Sequence, residues 1–130
     1  MAYDYDRQNI FARILRGEIP NKTVLESAHT LAFHDIHPHG PVHVLVIPKG
    51  AYVNFDHFAS DASAEEIVDF HRTAAAVCRQ LGIAPGEAGA GYRAISNAGQ
   101  DGHQEVPHYH LHIIAGRPMG PMTCPSVTHG

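Results

Sequence analysis

Apolar residues recur along this chain with two different periods, and the change of period marks where helix gives way to strand. In "RQNIFARILRGEIP" the residues Ile10, Phe11, Ile14 and Leu15 form a stripe at helical spacing, and Gly17 with Pro20 mark the exit. "KTVLES" and "TLAFHDI" read as two strands of a hairpin around Ser27, Ala28 and His29. "PVHVLVIPK" is a strand rich in β-branched residues, bounded by Gly40-Pro41 and Pro48. A longer helix is predicted over 64–81: Ser63 and Glu66 make a capping box, and Ile67, Phe70, Ala74, Val77 and Leu81 share one face before Gly82. After a loop rich in glycine and alanine, "YRAISN" reads as a strand, "AGQDGHQEV" as a loop and "PHYHLHII" as the last strand. The segment from Ala115 onward, rich in proline and glycine, is expected to be irregular. Strands grouped around two helices give an α+β class with a mostly antiparallel sheet.

Composition narrows the picture. A length of 130 residues suits a single domain. A net charge of −4 argues against a nucleic-acid polymer as partner, while a single nucleotide, which needs only a few donors, stays open. The start has no signal-peptide pattern and no apolar run approaches a membrane span. Cys78 and Cys124 form no CxxC, so neither a disulfide framework nor a cysteine-built zinc site is expected. These features predict a soluble cytoplasmic protein without membrane partners. The unusual number is twelve histidines, which cluster in "HDIHPHGPVH" and "HQEVPHYHLH".

The second cluster contains His108, His110 and His112 in strict alternation. On a strand such residues share a face, with Tyr109, Leu111 and Ile113 turned the other way into packing. Two chemistries fit a row of imidazoles. Zinc is one, with His43 or Glu105 as a further ligand. Phosphoryl transfer is the other: an imidazole near neutrality serves as nucleophile while another donates a proton, and Asn97, Gln104 and loop amides bind phosphate.

"HYHLHII" also resembles the His-x-His-x-His-x-x motif of the histidine triad nucleotide-binding proteins. "IFARILRGEIPNKTVLES", "LAFHDIHPHGPVHVLVIPK" and "SNAGQDGHQEVPHYHLHIIAGRPM" resemble further parts of that family, over roughly residues 8–119. The similarity is greatest to the Hint-like branch, the purine nucleoside phosphoramidases. It implies a single domain over 1–130, with 120–130 an irregular tail. It also implies a histidine-triad fold: a five-stranded, mostly antiparallel sheet with two helices, paired edge to edge in a homodimer into a ten-stranded sheet.

The implied activity is hydrolysis of the P–N bond of a purine nucleoside 5′-phosphoramidate, an AMP–amine conjugate, through a nucleotidyl-histidine, with no cofactor or metal required. On this resemblance His110 is the nucleophile, His112 contacts the phosphate and helps protonate the leaving amine, and His108 and His43 support them. Phe11, Ile19, Phe33, His34, Asp35 and Ile36 bind the nucleoside, with Asp35 on the ribose hydroxyls. Asn97, His103, Gln104, Glu105 and Val106 lie on the phosphate side. From the residues alone, Phe11, Ile19, Phe33 and Ile36 are read as core. Alternatives are hydrolysis of dinucleoside polyphosphates, as in Fhit-like relatives, and a non-catalytic zinc- or nucleotide-binding protein.

The chain departs from the family pattern in places. His103 stands where a glycine is common, which is costly if that position needs a positive φ. Glu105 stands where many members have Ser or Thr: turned inward a carboxylate there would repel phosphate, and the alternatives are that it points away, accepts a proton from the amine or favours cationic leaving amines such as a lysine. The tail lacks a tryptophan found in some relatives.

Overall fold

The computed structural model of the chain describes residues 3–123. Its framework is one antiparallel sheet of five strands in the order β1-β2-β3-β5-β4. These are β1 (Thr23–Glu26), β2 (Thr30–His34), β3 (Val42–Pro48), β4 (Tyr92–Ile95) and β5 (Leu111–Ala115). Helix α1 is Ile10–Leu15, α2 is Phe55–Asp61 and α3 is Ala64–Gln80, and a 3-10 turn occupies Pro85–Glu87. The sheet and the two expected helices are present; α2 is an addition. Only Phe58 of α2 is buried, so its seven residues carry too little apolar periodicity to be read from sequence. No helix among the described residues is long and apolar enough to cross a membrane. Cys124 and His129 lie outside the described residues.

Local signals set the helix ends. The Asn9 side chain accepts from the Ala12 amide and starts α1. The Ser63–Glu66 capping box is formed at α3, satisfying two otherwise orphaned amides.

Strand alternation sorts the side chains into two layers. On one face Ala32, Val44, Val46 and Ile113 pack with Phe58, Phe70 and Val77 from the helices. Tyr109 stacks between Phe58 and Phe70, with ring centroids 5.1 Å from each. On the opposite face Leu31, Phe33, Leu45 and Ile47 pack with Phe11 and Ile14 of α1. A six-residue helix spans only about 9 Å, so it leaves part of this face uncovered.

The last strand is shorter than expected, beginning at Leu111 rather than near His108. Its ladder to β3 ends at Val46↔Leu111. Beyond lies Pro48, which has no N–H to extend the ladder, and the Tyr109 amide turns instead to the Tyr52 carbonyl at 2.7 Å. Of the three histidines only His112 lies in the sheet. The alternation survives in the extended backbone before it: Tyr109 enters the helix-side core, whereas His110 and His112 line the opposite cleft.

Candidate active site

The uncovered part of the sheet opens into a cavity of about 490 Å³, a size suited to a small-molecule ligand. Its wall is the second core. Phe11 and Phe33 are 6% and 4% exposed and still line it, so core and pocket are the same residues here. Of the other residues singled out from the sequence, Ile19, His34, Asp35, Ile36, Asn97, His103, Glu105, Val106, His43, His110 and His112 line it too. Ile36 stands at 77% exposure, an apolar side chain held open beside the cavity.

Two expected residues are elsewhere. Gln104 does not line the cavity; its side-chain amide donates to the carbonyls of Val53 at 2.6 Å and Val106 at 2.9 Å. Both amide hydrogens brace the loop and neither is left for a phosphate. His108 is fully buried outside the cavity, its Nε2 bonded to the Pro48 carbonyl at 2.8 Å and its Nδ1 to the Tyr5 hydroxyl.

Hydrogen-bond partners fix which nitrogen of each ring carries its proton. His110 Nδ1 lies 2.7 Å from the His108 carbonyl, which can only accept. The proton therefore sits on Nδ1 and Nε2 keeps a lone pair. His43 is set the opposite way. Its Nδ1 accepts the His39 amide at 2.9 Å, so the neutral ring is protonated at Nε2. That Nε2–H donates to His112 Nδ1 at 2.9 Å, leaving the His112 proton on Nε2. Two imidazoles with centroids 4.9 Å apart thus offer complementary functions, a lone pair from His110 and an N–H from His112. The His39 loop is held by Arg117, whose guanidinium donates to the His39 carbonyl at 2.6 Å.

Burial pushes all four rings toward the neutral form. His108 is lowered to about 4 by desolvation. His112 is also lowered to about 4, by desolvation and then by its neighbours His110 and His43. His110 and His43 are lowered mainly by burial, against the partial opposition of Asp35. The neutral rings are therefore distinguished by tautomer rather than by charge. The carboxylate of Asp35, 3.4 Å from His43 Nε2, offsets only part of the hydration that a buried imidazolium would lose.

Asp35 is partly buried. Its Oδ1 accepts the His37 amide at 2.8 Å and its Oδ2 lies 3.4 Å from His43 Nε2. The triad does not assemble as a metal cluster. The metal-like grouping is instead Asp35, His43 and His112, whose ligand atoms lie within 4.8 Å of one another. To coordinate through Nε2, His43 would need its proton on Nδ1, where the His39 amide already donates. This donor set fits a proton-bearing ring better than a metal ligand.

The loop before the triad explains the unusual residues there. His103 has φ 58°, so it sits in the left-handed conformation that glycine adopts freely. Its Nε2 meets Glu105 Oε1 at 3.1 Å, and both side chains are largely exposed beside the cavity. Gly102 is required: an added Cβ would lie 2.4 Å from the Ala98 carbonyl oxygen. The charge of Glu105 reaches His110 and works against the lowering of its pKa.

Among the described residues the cavity is lined by seven histidines and two carboxylates, and by no lysine or arginine. Sequence reading gave no role to His37 and His39, both of which line it. Their place in the first histidine cluster, close before His43, was the available signal.

Comparisons with known proteins agree with this geometry. Residues 16–119 match the HIT domain model. The chain is 56% identical over 122 residues to an uncharacterised 13.2 kDa HIT-like protein of Azospirillum brasilense, covering 94% of this chain and 97% of that one. It is 40% identical to the purine nucleoside phosphoramidase of Escherichia coli K12, covering 88% and 92%. Among solved structures, a HIT family hydrolase from Clostridium thermocellum superposes with a TM-score of 0.80 at 35% identity, covering 92% and 99%.

Proposed function

The chain belongs to the HIT domain family, and on that footing we propose that it hydrolyses purine nucleoside 5′-phosphoramidates, releasing AMP and an amine. The carrying observation is the opposed protonation of His110 and His112 on one cavity wall. The His110 Nε2 lone pair attacks the α-phosphorus. The His112 Nε2–H binds the phosphoryl oxygen on which negative charge builds. The P–N bond breaks, and the amine takes a proton from the solvent-open side of the cavity. Water then attacks the nucleotidyl-histidine, releasing AMP and a proton and restoring His110. The His108 carbonyl accepts the His110 Nδ1–H throughout and steadies the positive charge on the attacking ring.

Asp35, with free lone pairs on both oxygens, is suited to a ribose diol, and the apolar wall of Phe11, Ile19, Phe33 and Ile36 to a purine. The absence of lysine and arginine among the lining residues favours a singly charged phosphoramidate over a dinucleoside polyphosphate, whose several charges would face Asp35 and Glu105. A homodimer is part of this reading: β4 is an edge of the sheet, with Tyr92 45% exposed on it.

The test is to trap a nucleotidyl adduct on His110 by rapid quench with an AMP–amine substrate, and to assay His110→Ala beside it. We expect the adduct in the native protein and a loss of turnover of about 10⁴-fold or more in the variant. Turnover surviving in His110→Ala overturns the covalent route, and a preference for dinucleoside polyphosphates overturns the substrate assignment.

A further inference from the structure

The family match begins at residue 16, yet residues before it pass behind the proposed nucleophile. The Tyr3 hydroxyl donates to Asp56, and its ring lies 5.0 Å from that of His57. Two residues on, the Tyr5 hydroxyl meets His108 Nδ1 at 2.5 Å, with the rings edge to face at 5.6 Å. Asn9 ends the segment by capping α1, so the strap is anchored at both ends.

His108 must hold one proton and accept another group's. Its Nε2 faces the Pro48 carbonyl, which only accepts, so the ring proton is on Nε2. Full burial disfavours a second proton on the ring. Nδ1 is therefore an acceptor, and the Tyr5 hydroxyl supplies its donor. Both nitrogens are satisfied and the ring is pinned from two sides. The backbone carbonyl of this same residue accepts the His110 Nδ1–H that leaves Nε2 free to attack.

We propose that Tyr5 is a positioning residue of the active site, acting through His108 to hold the carbonyl that sets the tautomer and aim of His110. The inference rests on the reading of His110 as nucleophile. It adds to the site a residue of the N-terminal segment, which Tyr3 anchors on Asp56 and Tyr5 on His108.

Tyr5→Phe keeps the ring and removes the hydroxyl. A displacement of about 1 Å costs roughly 100-fold, so a looser His108 is expected to lower kcat about tenfold while KM stays within about twofold. Tyr3→Phe loosens the same strap without touching His108, and is expected to leave kcat unchanged. In long-range ¹H–¹⁵N spectra the native protein should show a slowly exchanging proton on His110 Nδ1, and Tyr5→Phe should exchange it faster. Native kcat in a folded Tyr5→Phe protein overturns the proposal, as does an equal loss in Tyr3→Phe. If the native protein turns over no phosphoramidate, the functional reading fails by itself. The spectra still decide the role of Tyr5, because unchanged exchange at His110 in Tyr5→Phe overturns it.

Discussion

The two faces of the sheet are built from the same strands and do opposite work. The face under the seventeen-residue α3 is closed by Phe58, Phe70, Val77, Tyr109 and Ile113, all at most 3% exposed. The face under the six-residue α1 is covered in part, and beside the helix lies the cavity with its histidines. Helix length decides the difference: a long amphipathic helix seals a sheet, and a short one leaves room for a ligand. The apolar side chains of the open face therefore line a cavity as well as a core, whereas those of the closed face form a core alone.

The strongest way to break this comparison is to cut a large residue from each face. Phe70→Ala is expected to cost about 3–5 kcal/mol of stability in urea unfolding, with KM unchanged in whatever protein remains folded. Ile36→Ala, at an exposed position beside the cavity, is expected to cost less than about 0.5 kcal/mol and to raise KM severalfold. A loss of stability in Ile36→Ala equal to that in Phe70→Ala would erase the distinction.

Acid sharpens it next. The His108 pKa is about 4 in the folded protein, below the ordinary 6.5, so the unfolded chain binds more protons between those values. Its contribution is therefore fully present above about pH 6.5 and is lost as the pH falls toward 4. In that range the unfolded chain takes up a proton at this ring that the folded chain does not, so stability falls with falling pH, and His112 adds in the same direction. Urea unfolding across that range should show the decline, and His108→Gln should flatten it. A pH-independent stability from 6.5 to 4.5 contradicts the neutral, buried histidines.

The smallest effect lies at the rim. Glu105→Gln removes an exposed charge, and the expected change is a two- to fivefold fall (roughly) in the preference for lysine-linked over neutral amine substrates, with stability unaffected. Competition assays with both amines measure it, and an unchanged ratio removes Glu105 from leaving-group selection.

Much of this site was legible in the chain. The His108–His110–His112 alternation foretold which side chains share a face, because extended backbone has a period of two whether or not it is paired in a ladder. "FHDI" brought Phe33, His34, Asp35 and Ile36 to the cavity because they end β2 and enter the turn that follows it. Gln104 was misread because its type suits a phosphate ligand equally well as a loop brace, and only the positions of Val53 and Val106 decide between them. His39 was passed over because it acts through its backbone amide, a role no side-chain type announces.

The helix and strand periods, the caps and the grouping of histidines could be read from the chain, since these depend on neighbours a few residues apart; the grouping left metal binding and phosphoryl transfer both open. Packing sets the rest: His108 is buried while His110 and His112 face the cavity, and each ring carries its proton on a particular nitrogen. Those properties depend on burial and on partners as distant in the chain as Tyr5, Pro48 and His43, which three-dimensional packing alone brings within hydrogen-bond reach.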